Sequence, residues 1–79
     1  MALIKDITTS WASVGPLGTD ESWQCRSAQP VLVTIAASTP SDADQGHWLT
    51  WHDEFNIPSG STVFYRAPYG GGMINREAI

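Results

Sequence analysis

His47 and His52 flank Trp48 and Trp51, with Asp53 next in the chain, so residues 47–53 bring together side chains that could bind a metal. The spacing matches no zinc signature, and Cys25 is the only cysteine available to help. Read as a strand over His47–Trp51, the segment puts His47 and Trp51 on one face and His52 on the other, which argues against joint ligation. Ordinary surface or interface histidines are expected, and no metal site.

Asp42-Ala43-Asp44-Gln45-Gly46 resembles the opening of a calcium loop, with carboxylates at alternate positions before a turn glycine. The next carboxylate is Asp53, beyond an intervening strand, so a solvated loop is expected. Cys25 has two histidines and many serines for company, but there is no Gly-x-Ser-x-Gly elbow and no cysteine-centred signature. It reads as a small buried hydrophobe in a strand. The neighbours Asp20-Glu21 and Asp53-Glu54 point apart on extended backbone and do not make a glycosidase pair. A chain of 79 residues keeps little material to line a pocket once its core is filled. No catalytic residue, no cofactor and no enzymatic activity are expected.

The rings carry more information. Trp11, Trp23, Trp48, Trp51, Phe55, Phe64, Tyr65 and Tyr69 are more large aromatics than so small a core can enclose, so some must lie at an interface. If Trp48 and Trp51 stand on opposite faces of one strand, one of them is outside the monomer core. Trp51, beside the polar pair His52-Asp53, is the expected one, and Trp48, Trp51 and Tyr69 are the interface candidates. They could serve a subunit contact, with aromatics as anchors, or a face on which sugars stack.

Length permits a single domain spanning 1–79, because there is surface for only one core. Such a domain buries roughly 60–65% of its unfolded surface and is marginal alone. With one cysteine no intrachain disulfide forms, which leaves self-association as a source of stability. Lys5, Arg26, Arg66 and Arg76 stand against eight carboxylates for a net charge of −4, too few and too scattered to neutralise nucleic acid. With 42% hydrophobic and 15% charged residues the chain is too apolar for disorder and low in charge for a free monomer. Residues 1–7 are interrupted by Lys5-Asp6 and do not read as a signal peptide. Val31–Ala37 is far too short to span a bilayer. A soluble protein made in a cytoplasm, with no membrane contact, is the expectation.

Glycine and proline punctuate the chain, and β-branched and aromatic residues fill the intervals, so the economical reading is a series of strands. The clearest is Pro30–Ala36, where Val31, Val33 and Ile35 share an apolar face and Leu32, Thr34 and Ala36 a mixed one. The others are Ile4–Ile7, Trp11–Val14, Glu21–Ser27, His47–Trp51, Glu54–Ile57, Thr62–Ala67 and Met73–Arg76. Between them lie Gly15-Pro16 with Gly18, Thr39-Pro40-Ser41-Asp42, Pro58-Ser59-Gly60 and Pro68 to Gly72. Pro58 and Gly60 should let Ile57 end one strand and Val63 start the next in register, and Gly70–Gly72 reads as a flexible hairpin loop. The spacing predicts an all-β fold, a small antiparallel sandwich or barrel of about seven to eight short strands.

From about Gln29 to Glu77 the order Pro-Val-Leu-Val-Thr-Ile-Ala, Ser38-Thr39-Pro40, an acidic loop ending in Gly46, Phe55-Asn56-Ile57-Pro58-Ser59-Gly60, Val63-Phe64-Tyr65-Arg66-Ala67 and a glycine-rich turn is similar to the small β-sandwich virion proteins of tailed bacteriophages. The resemblance covers about the C-terminal three-fifths of the chain and rests on turn chemistry. It implies a structural component of the virion, made in the host bacterial cytoplasm. The expected role is a capsid decoration (cement) protein, a homotrimer contacting the major capsid protein or other virion proteins. The alternative is a tail or fibre-associated module that binds glycans or another virion protein.

Overall fold

The computed structural model describes residues 2–79; Met1, included in the single-domain expectation, lies outside them. Eight strands follow one another: β1 (Ala2–Ile7), β2 (Ala12–Val14), β3 (Glu21–Cys25), β4 (Val31–Ile35), β5 (His47–Leu49), β6 (Glu54–Ile57), β7 (Val63–Arg66) and β8 (Gly72–Ala78). They form two antiparallel four-stranded sheets, sheet I in the order β1-β8-β3-β6 and sheet II in the order β2-β7-β4-β5. The fold is all-β, a small sandwich.

Its topology has a simple origin. β4 pairs with β5, β3 with β6, β2 with β7 and β1 with β8, so the chain is one long hairpin bent at residues 36–46. Successive rungs of that hairpin alternate between the two sheets. The further pairings β3·β8 and β4·β7 roll it up and complete each sheet. An eight-stranded hairpin rolled into two sheets is the jelly-roll form of the β-sandwich. Every connection except β4–β5 therefore crosses from one sheet to the other.

That crossing corrects two expectations. The Pro58-Ser59-Gly60 turn and the Gly70–Gly72 run do not close hairpins, because β6 and β7, and likewise β7 and β8, belong to different sheets. Gly72 is itself the buried first residue of β8, where an added Cβ would stand 2.8 Å from both the Ala67 Cβ and a Val31 methyl. Only a hydrogen fits there.

Between the sheets lie Ile7, Leu17, Trp23, Cys25, Val31, Val33, Leu49, Ile57, Val63, Ala67 and Ile74, with Ile4, Val14, Phe55 and Tyr65 packed around them. Trp23 is fully enclosed and meets Tyr65 edge-on, ring centroids 5.8 Å apart. Above the indole, Glu21 accepts a hydrogen bond from Trp23 Nε1 at 2.9 Å and a two-pronged one from Arg76 at 2.9 and 3.0 Å. The carboxylate is thereby fully engaged at the margin of the core, and the Arg76 guanidinium lies 5.3 Å from the Trp23 ring centre.

β4 departs from its alternation at one end. Val31 and Val33 are fully buried as expected, whereas Ile35, the last residue of the strand, is 44% exposed. Period two assigns a face but does not say where the facing sheet ends. Conversely Leu32 and Thr34, on the face turned away from the core, are buried.

Candidate binding surface

Loops from the two ends of the sandwich separate the exposed side chains. At one end the turns 8–11, 26–30, 50–53 and 67–71 meet: the Ala67 amide donates to Thr8 O, Arg26 N to Met73 O, and His52 N to Cys25 O. At the other end the Leu17 amide donates to Ser61 O, Gly60 N to Leu17 O, and Ala36 N to Thr62 O, which ties together 15–20, 58–62 and the root of 36–46.

Trp51 and Tyr69 stand on turns of the first end and are 54% and 71% exposed; Trp48, on β5, is 45% exposed. All three interface candidates are thus open to solvent. The expectation that only one of Trp48 and Trp51 lies outside the core is corrected, because both do, and so is the strand His47–Trp51, because β5 stops at Leu49. The stop has a local cause: the amide and hydroxyl of Thr50 both donate to the Asp53 carboxylate, at 2.9 and 2.8 Å, and close a tight turn. Those two bonds hold the Asp53 carboxyl below the usual carboxylate range, the backbone amide contributing most. Trp51 rides on this turn, its ring stacked on His52 with centroids 4.2 Å apart. His52 has φ +72°, so neither residue keeps the strand parity first assigned to it.

Trp48 lies elsewhere, on the outer face of sheet II. Register places Trp48 of β5 beside Leu32 of β4, and Leu32 beside Arg66 of β7. Arg66 in turn lies 5.8 Å from the centre of the Trp11 ring. A transverse row of Trp48, Leu32, Arg66 and Trp11 results, with Thr34 and Phe64 paired in the next outward row. The three candidates accordingly occupy two surfaces, one end of the sandwich and one sheet face. No local pattern in the sequence pairs Arg66 with Trp11. Their link depends on the β2·β7 pairing, though Arg66, one of four cations and standing in an aromatic strand, was a visible oddity.

Along the side where β5 and β6 are the outermost strands, His47 packs on Phe55, centroids 4.6 Å apart, and bridges the two sheets. Among the described residues no group of three His, Cys, Asp or Glu side chains is placed to hold a metal ion. Asp42 turns its Oδ1 to the Asp44 amide at 2.9 Å, an internal turn contact. Cys25 is buried, its Sγ within 3.6 and 3.7 Å of the carbonyls of Ser27 and Gln29. Two shallow depressions, about 290 and 240 Å³, are lined by Asp20, Asn56, Ile57, Pro58 and Ile79 and by Ala2, Glu21, Arg76 and Ala78. Neither holds a nucleophile beside a base. Comparison with protein-family models, with curated proteins and with solved structures found no match.

Proposed function

We propose that this chain is a non-enzymatic structural protein of a tailed-bacteriophage particle, a capsid decoration protein that associates with its own copies as a homotrimer and with the major capsid protein. One observation carries the reading: Trp48, Trp51 and Tyr69, three of the eight large rings, stand outside the core of a very small domain. Large aromatics contribute disproportionately where two protein surfaces close over them, and they are a solubility liability where nothing does. The attribution to a virion rests on the sequence resemblance. Jelly rolls recur in capsid proteins, which supports it by analogy of fold only. Light scattering of the purified protein, with imaging of particles that carry or lack it, is the test. A stable monomer that never accompanies particles would end this reading.

A second reading has its own observation. Trp51 and Tyr69 occupy two turns of the same end, where two exposed rings could stack on sugar faces as a tail or fibre module requires. A glycan array probes it directly, and the absence of signal together with unaltered quenching of the tryptophans by added glycans would remove it.

A further inference from the structure

The buried state of Leu32, Thr34 and Phe64 needs a cause, because these side chains point away from the core between the sheets. Leu32 is fully buried, Thr34 7% and Phe64 8% exposed. Arg66 stands on the same face, and its Nη1 donates to the carbonyl of Ala43 at 2.6 Å. The 36–46 loop must therefore cross that face to reach it. On the way back Gly46 comes so close to the sheet that an added Cβ would lie 2.6 Å from Val33 O and 3.0 Å from the Thr34 Cβ. With φ +116° as well, only glycine lets the loop return so tightly.

The loop's own attachments are few. From Ala37 to Gly46 only Pro40 is even partly buried, so the segment contributes little apolar area of its own to the contact. The hydrogen bonds of Asp44 and Gln45 to Asp42 stay inside the loop, and that of Ala36 to Thr62 lies at its root. Among the described residues, the Arg66 bond to Ala43 is the one hydrogen bond that ties the middle of the loop to the body. Arg66 is itself braced from the other side, with Nε donating to Thr9 O at 2.7 Å and the guanidinium over Trp11.

We infer that residues 36–46 are a displaceable strap, latched by Arg66, which covers the outward apolar face formed by Leu32 and Phe64 between Trp48 and Trp11. A segment whose own side chains are nearly all exposed, held by one charge-assisted hydrogen bond and by the cover it gives Leu32 and Phe64, opens at lower free energy than the sandwich unfolds, because the core between the sheets stays closed. Opening it bares an apolar row and frees the Arg66 Nη1 donor, Nε staying on Thr9 O, while Val33 and Val63, on the opposite face of the same strands, stay enclosed. The inference does not depend on the assembly proposed above.

Hydroxyl-radical footprinting read residue by residue tests it, with each rate normalised to that of the unfolded chain. In the unsubstituted protein Leu32 and Phe64 should be modified faster than Val33 and Val63. In Arg66→Gln the rates at Leu32 and Phe64 should rise about five- to tenfold, the factor one such hydrogen bond controls, with Val33 and Val63 unchanged. If all four residues react in step, in the native chain and in the variant, the outer face opens only with global unfolding and the strap does not exist. Should Arg66→Gln fail to fold, the comparison of the two faces in the unsubstituted protein decides alone.

Discussion

The imidazole of His47 lies against the ring of Phe55, centroids 4.6 Å apart and planes tilted by 35°, and so links the edge strand of one sheet to the edge strand of the other. Phe55 is the half-buried member, packed on the core, whereas His47 is exposed. Phe55→Ala should therefore cost roughly 2–3 kcal/mol, below the range for a fully buried ring. His47→Ala should cost less than about 1 kcal/mol, the scale of an aromatic pair contact. Urea unfolding of the two variants checks the ordering, and equal losses would mean that the contact and not the burial of Phe55 matters here.

Two neighbouring residues of β4 provide a sharper contrast. Val33 is fully enclosed and Ile35 is 44% exposed, although both share the strand's parity. Val33→Ala should destabilise the domain by roughly 1–3 kcal/mol through lost burial and a cavity. Ile35→Ala, despite removing more atoms, should stay within about 1 kcal/mol. Chemical denaturation with the linear extrapolation reads both, and a larger loss at Ile35 would contradict its exposure.

Those residues also show what could be read from the sequence. Glycine and proline punctuation, with β-branched and aromatic residues between, is enough to locate all eight strands, and Glu54–Ile57 has the bounds its residues imply. The partner of each strand was not legible, because turn chemistry at Ile57-Pro58-Ser59-Gly60 specifies a reversal and says nothing of which sheet receives the next strand. The rolled hairpin is set by pairings such as Ile4 with Ile74, which no local pattern encodes. Trp51 leaves the strand for a different reason. The Thr50…Asp53 spacing that ends β5 was present in the sequence, and its side-chain capping of the turn outweighed the β-propensity of the tryptophan.

Because Trp48 and Trp51 both lie outside the core, their removal should leave the fold intact. Trp48→Ala and Trp51→Ala should keep the far-ultraviolet spectrum of the parent, with stability changed by no more than about 1 kcal/mol. Under the assembly proposed here, at least one of them should weaken association measurably in sedimentation equilibrium. Full self-association of the double variant would exclude both rings from the subunit contact.

Acid should weaken this domain through Glu21 in particular. Arg76, by hydrogen bonding first of all, and then Trp23 hold the Glu21 carboxyl below its ordinary value, outweighing the opposing effect of burial. The folded state therefore binds the proton less readily than the unfolded chain, whose glutamate titrates at about pH 4.3. The stability contributed by the ion pair is fully present above that unfolded value and is lost as pH falls through the lower folded one. With its side chain only 14% exposed and both oxygens engaged, Glu21 should contribute roughly 1–2 kcal/mol near neutrality. Glu21→Gln keeps the shape of the side chain and one acceptor, so the difference in unfolding free energy between parent and variant isolates the charge. That difference should be constant from pH 7 down to about pH 5 and shrink steadily below it. Urea titrations at closely spaced pH values measure it. A difference that stays unchanged down to pH 3 would mean that the Arg76 pair adds nothing to the folded state.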